Sequence, residues 1–161
     1  MFNDYGIDPG DLGPHFKNMV AALDPYVDLI ELLSGPAMAK TRQASFKYSA
    51  NENDYYFYLK QGFHISPSAG QDNHYPTWGM VTDARTGVVC SSLSEAELYK
   101  AFRANRTFAT EDKNLSVILR VNDKIMGSSI TATDGSDLKI EVQVKDEDEP
   151  DAKYAVYLYS G

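Results

Sequence analysis

The sequence predicts an α+β chain: an α/β front, residues 1–113, followed by an antiparallel β tail, residues 114–161. Three observations carry this prediction. Apolar residues recur at helical spacing in two places, Phe16–Met19–Val20–Leu23 and Leu98–Ala101–Phe102. Between them lies a short, mostly apolar strand-like run, Val27 to Leu33. After Asn114 the pattern changes to short runs with partial alternation, separated by turn residues.

The first helix begins at Pro14, a residue suited to a first turn, and stops at Pro25. "VDLIELL" is the first strand, ended by the turn residues of "SGP". Residues 36–53 carry little periodicity and are expected to form a loop with some helix. "ENDYYFYLKQG" predicts a helix with Gly62 as its stop, although four consecutive aromatics also suit a strand. "TGVVCSS" is a further strand. "SLSEAELYKAFRANRT" is a helix with Ser94 as cap and Glu97 closing a capping box. Four runs follow: "NLSVILRVND", "KIMGSSITATD", "SDLKIEVQVKD" and "AKYAVYLYSG". They resemble part of a β-sandwich in pattern, yet supply about four strands where such folds need seven. The front likewise offers too few strands for a closed barrel.

Composition narrows the function. A hydrophobic share of 43%, with 19 aromatic residues, supplies a core and excludes wholesale disorder. The net charge of −8 argues against general nucleic-acid binding, which needs clustered Lys and Arg. Part of that acidity is one run, Asp146 to Asp151, expected to be a solvated loop rather than a Ca²⁺ site. The lone Cys90 excludes an internal disulfide and is expected to be a small buried thiol in a strand. No basic segment followed by an apolar run opens the chain and no stretch is long enough to span a bilayer. A soluble chain is therefore expected.

Reactive chemistry concentrates in "SAGQDNHYPTWG". In extended backbone the side chains of Asp72 and His74 share one side, and a carboxylate with an imidazole suits Zn²⁺, Mn²⁺ or Fe²⁺. Two ligands do not complete a site, because a catalytic zinc takes three protein ligands and water. His64 follows the helix stop and is read either as an exposed polar residue or as a neighbour of the same face. His15 is expected at the surface. Glu31, inside an apolar strand, is either a buried structural partner or a site residue. Among Arg42, Arg85, Arg103 and Arg106, Arg85 lies nearest the motif. It is read as an anion holder or as the partner of Asp83 or Glu95. Trp78, the only tryptophan, ends the stretch. P-loop, G-x-S-x-G, H-E-x-x-H and CxxC patterns are absent.

Taken as an ordered set, "VDLIELLSG", "LKQGFHISPSAGQDNHYPTWG", "ARTGVV", "LYKAFRANRTFATEDKNLSV" and "VNDKIMGSS" resemble the C-terminal part of PHP-family (polymerase and histidinol phosphatase) metal-dependent hydrolases. The nearest subgroup carries an appended β-sandwich. The resemblance spans about Val27 to Ser129. It implies part of a distorted (β/α)₇ barrel, with "VDLIELL" as the penultimate strand and "DNH" closing the last. It also implies phosphoester hydrolysis, a divalent metal (Zn, Mn or Fe), and Asp72 and His74 as a final ligand pair. Glu31, His64, Trp78 and Arg85 become substrate-contacting or supporting positions.

The departures are equally specific. The family's H-x-H strand is absent, and only His15 precedes Val27. The chain is therefore expected to be a segment of a larger hydrolase with little activity alone, or a diverged remnant that folds by association. Incomplete sheets leave strand edges that invite pairing with another copy. The competing expectation is a non-catalytic protein- or carbohydrate-binding module using Trp78 or the aromatics of Tyr55 to Tyr58.

Overall fold

The computed structural model describes residues 13–159. Among them are three α-helices and eight strands in three small sheets, an α+β arrangement. Helix α1 (Gly13–Leu23) runs into a 3₁₀ turn, Asp24–Tyr26, and then strand β1 (Leu29–Ser34). A long loop and the short β2 (Ser49–Ala50) lead to α2 (Glu52–Lys60) and β3 (Ser66–Ala69). The front closes with β4 (Arg85–Val88), α3 (Glu95–Arg103) and β5 (Thr107–Thr110). The tail contains β6 (Ser116–Val121), β7 (Lys124–Ile125) and β8 (Ile140–Lys145).

Strands β1 and β3 are parallel, and β2 pairs antiparallel on β1's other edge. A parallel pair requires a crossover, which α2 supplies. The aromatic run that also suited a strand is helical, and it ends in a Schellman motif. Phe63 N–H donates to Tyr58 O (3.2 Å) and Gly62 N–H to Leu59 O (3.0 Å), with Gly62 at φ 95°. The accompanying apolar contact is the edge-on pair Tyr58–Phe63, ring centroids 5.7 Å apart. Phe63 then joins Val20 of α1 and Ile65 in the core, flanked by Phe16, Ile30, Tyr55 and Tyr58. Both helices therefore cover the β1–β3 pair with apolar side chains.

The β4–β5 hairpin attaches to β3 through threonine hydroxyls rather than a backbone ladder. Thr86 Oγ1 accepts from Ala69 N–H (2.8 Å) and donates to Ala69 O (3.0 Å). Thr107 Oγ1 donates to Pro67 O (2.7 Å) and lies 2.8 Å from the Ser66 hydroxyl. Pro67 has no N–H to give a neighbouring strand, so a side chain makes the junction instead. Strand β5 was not expected: of "TFAT" only Thr107 fell in a predicted element, as the last residue of the preceding helix pattern.

Helix α3 begins as predicted, with Ser94 Oγ accepting from Glu97 N–H (3.3 Å). The capping box is only half formed, since the Glu97 carboxylate accepts from Ser91 Oγ (2.5 Å) instead of reaching back to Ser94. Cys90 is half-buried and sits beyond the end of β4, so the expected buried strand thiol is corrected. Beyond Val88 one further backbone bond joins the two strands, from Val89 N–H to Arg106 O (2.9 Å).

In the tail, β6 is central between β7 and β8, both antiparallel. The β6–β7 turn uses Asn122 (φ 48°) and Asp123 (φ 64°), the two left-handed residues that a tight hairpin of this twist requires. "KIMGSSITATD" contributes only β7, and residues 152–159 form no strand. The acidic run is exposed except for Asp146, which is 8% exposed. Its carboxylate accepts from Asp148 N–H, Glu149 N–H and Tyr154 Oη, and so organises the turn. Tail and front meet at Gly127. A Cβ there would lie 1.8 Å from Ala104 O.

Candidate functional site

The loops that leave the C-terminal ends of the parallel strands β1 and β3, residues 35–48 and 70–84, pack against one another. His74 N–H donates to Ala37 O (3.0 Å), Thr77 Oγ1 to Ala39 O (3.3 Å) and Gln43 N–H to Val81 O (2.7 Å). Lys40 Nζ stands over the Tyr75 ring, 4.5 Å from its centroid. Arg42 closes the pair with a two-pronged contact to Asp83, Nη1 to Oδ1 at 3.0 Å and Nη2 to Oδ2. That hydrogen bonding from Arg42 lowers the Asp83 carboxyl below its usual range.

Asp72 and His74 sit on this platform, both exposed. The expectation of extended backbone between them is corrected: Asp72 is left-handed, φ 50°. Asp tolerates that conformation at small cost. The turn brings the Asp72 carbonyl, not its carboxylate, against the His74 ring, with Nδ1 2.7 Å from the oxygen. A carbonyl only accepts, so Nδ1 carries a proton, and in the neutral ring the lone pair is on Nε2.

Directly before them, Gln71 is 8% exposed. Its Nε2 donates to the carbonyl and hydroxyl oxygens of Thr82, both at 2.9 Å, while Oε1 has no partner. Sequence reading gave Gln71 no role. It offers no pattern signal, since its partner is supplied by the fold of the second loop.

The other predicted residues divide. Glu31 is exposed, which removes the buried-partner reading. Its carboxylate lies over Gly70, where a Cβ would meet Oε1 at 2.2 Å, so it faces the same strand end as Asp72. His64 is at the opposite end of β3. Its N–H donates to Asp24 Oδ1 (2.6 Å) and its Nδ1 contacts Oδ2 (2.9 Å). The two contacts fix it beside α1 and away from the Asp72–His74 loop. The backbone N–H bond, foremost, and then the imidazole hold the Asp24 carboxyl below its usual range.

Arg85 is engaged rather than free to grip an anion. Its Nη1 donates to Thr82 O (3.0 Å) and Ala84 O (2.7 Å), and its Nη2 to Gly79 O (2.7 Å). It makes no ion pair with Asp83 or Glu95; Asp83 belongs to Arg42. Trp78 is 76% exposed, near the tip of the second loop, with Met80 exposed beside it.

A divalent metal is implied by the resemblance, and the residues fit it in kind. An exposed carboxylate and an imidazole with a free Nε2 are suitable donors. In number they fall short: among the described residues, no three His, Cys, Asp or Glu side chains gather into a metal-sized group. Also among them, no helix is long and apolar enough to cross a membrane.

No protein-family model, curated protein or solved structure matches the chain.

Proposed function

We propose that the chain is a segment of a PHP-type metal-dependent hydrolase of the phosphoesterase class, with Asp72 and His74 as two of its metal ligands. In this reading β1 and β3 are the last strands of a partial barrel, and the β7–β6–β8 sheet begins a sandwich. The observation that carries it is the Nδ1–carbonyl contact of His74, which in the neutral ring leaves Nε2 as the nitrogen with the lone pair. Metal-bound imidazoles are commonly oriented by such a bond from the other nitrogen. The location agrees, since open α/β sheets hold ligands beyond the carboxyl ends of their strands.

A divalent ion bound there would supply Lewis acidity toward a phosphoryl oxygen. The chain's own part is to present the donors. Arg42, Asp83 and Arg85 fix the two loops, and the Asp72 carbonyl holds the proton on His74 Nδ1. Because two donors are fewer than a catalytic site uses, turnover by this chain alone is expected to be absent or very low.

Imidazole ¹⁵N NMR tests the reading. His74 should appear as the Nδ1–H tautomer, and added Zn²⁺ should perturb its Nε2 before those of His15 and His64. Asp72→Ala should abolish the preference. An Nε2–H tautomer, or equal perturbation of all three histidines, overturns it.

The second reading, a protein- or carbohydrate-binding module, keeps Trp78 as its support, because Phe57 is buried and Tyr55 and Tyr58 pack against the core. Glycan or peptide binding abolished by Trp78→Ala and indifferent to His74→Ala would favour that alternative.

A further inference from the structure

We propose that the chain forms a two-fold symmetric dimer in which β8 pairs antiparallel with β8 of a second copy, centred on Gln143. Strand β8 is bonded to β6 along one edge. Among the described residues, no backbone hydrogen bond reaches its other edge. That leaves a row of N–H and C=O groups able to template another strand.

The side chains select the occupant and the register. From Lys139 to Glu147 the sequence reads KIEVQVKDE; within β8 the two charges, Glu141 and Lys145, are opposite in sign and equidistant from Gln143, with Lys139 just before the strand and Glu147 in the turn after the buried Asp146. With the two-fold axis at Gln143, Glu141 faces Lys145 of the second copy, and the flanking Lys139 and Glu147 fall at matching distances beyond the strand ends. Val142 and Val144, half-buried on the inner face, face each other across the axis. Moving the axis to Val142 sets Lys139 against Lys145, and moving it to Val144 sets Glu141 against Glu147. Directly opposed like charges destabilise a strand pair. Centring between residues sets Glu141 against Val144 instead, mixing the charged and apolar faces.

Edge charges usually keep strands apart. Charges of one sign do so against a copy of themselves; this alternating set attracts its own image. The present partners offer little competition. Lys145–Glu147 (2.6 Å), Lys139–Asp123 (3.7 Å) and Lys139–Glu141 (4.0 Å) are pairs whose side chains are all at least half exposed, and such pairs contribute little. The resulting sheet would have the order β7–β6–β8–β8–β6–β7.

Sedimentation velocity and light scattering on the full chain test this, with a monomer–dimer equilibrium expected at micromolar concentration. Lys145→Glu opposes like charges twice per dimer and should weaken association about tenfold. Within the chain this position faces Ser116, so the β6–β8 pair is spared. Adding Glu141→Lys should restore the dimer, and because Glu141 faces Arg120 within the chain, Glu141→Gln serves as the control for the β6–β8 pair itself. The outer pair supplies an independent swap: Lys139→Glu weakens and Lys139→Glu/Glu147→Lys restores. Circular dichroism establishes that each variant is folded. A wild-type chain that stays monomeric to its solubility limit overturns the proposal. So does a dimer indifferent to both single changes, or weakening that neither paired swap reverses.

Discussion

In the front of the molecule the deepest burial lies in a loop, whereas in the tail the most regular backbone lies near the surface. Val81, Thr82 and Ala84, between β3 and β4, are at most 3% exposed. Strands β6 and β8 keep an unbroken register over six residue pairs, yet none of their residues is buried. Regular hydrogen bonding and burial are therefore separable in this chain. The tail satisfies its backbone by ladder pairing and leaves one strand edge open. The front satisfies part of its backbone through individual side chains: Thr86 on Ala69, Thr107 on Pro67, Gln71 on Thr82 and Arg85 on three carbonyls.

The largest expected effect tests whether the two regions depend on one another. Gly127→Ala would force a Cβ to within 1.8 Å of the Ala104 carbonyl at a residue with φ 78°. Left-handed strain and backbone overlap together should cost about 3 kcal/mol or more. Chemical denaturation followed by Trp78 fluorescence and far-UV circular dichroism should show both signals shifting together. A front that keeps its stability while the β signal is lost would mean that the regions fold independently.

Thr107→Val comes next and bears on the front alone. Thr107 is 1% exposed, and valine keeps its shape while removing the hydroxyl between Ser66 and Pro67. Losing the hydroxyl's hydrogen bond to the half-buried Pro67 carbonyl should cost about 1 kcal/mol. Strand proton exchange in β6 and β8 should change less than that in β3 and β5. Equal loosening everywhere would contradict the contrast between side-chain and ladder satisfaction.

The same contrast explains what the sequence allowed to be read. The helices α1, α2 and α3 follow from 3.6-residue spacing, a serine cap and Gly62, all local signals. The β6 turn follows from Asn122–Asp123. Strands β3 and β5 are four residues long, and one contains Pro67; their strand character comes from partners well separated in sequence, β1 for β3 and, across α3, β4 for β5, which local pattern does not encode. The candidate site divides in the same way. Asp72 and His74 were visible as residue types at a suggestive spacing. Their arrangement was not, because Asp72's left-handed turn and the support from Ala37 depend on how two long loops meet. Arg85 misled for a related reason: it was read as an anion holder or as the partner of Asp83 or Glu95, and the fold spends it on three carbonyls.

Arg85 also gives the third prediction, of similar size. Lysine in its place offers one ammonium where a planar fork bonds Gly79, Thr82 and Ala84, so Arg85→Lys should cost about 1 kcal/mol. The loss should be local. Amide exchange should accelerate across residues 77–84, with β6 and β8 unchanged. Because this loop carries Trp78 and adjoins His74, the variant should also blunt the response of His74 to Zn²⁺. An unchanged loop would mean that Arg42–Asp83 alone holds it.

The smallest effect concerns the end of the front opposite to the site. Asp24 is ionised when it accepts from His64, and its pKa in the folded chain lies below the ordinary carboxylate value of 3.8. A lowered carboxyl pKa stabilises the fold above the unfolded value, and the contribution fades as pH falls through the folded one. Stability measured by urea unfolding should therefore drop between about pH 5 and pH 2 by more in the wild type than in Asp24→Asn, by about 1 kcal/mol or less. Asp83 has the same sign, through Arg42, so the clean comparison is Asp24→Asn against wild type at each pH rather than the acid limb alone. His64→Ala should leave part of the difference in place, because the leading cause is His64's backbone N–H, which alanine retains. If His64→Ala removes the whole difference, the imidazole rather than the backbone holds Asp24.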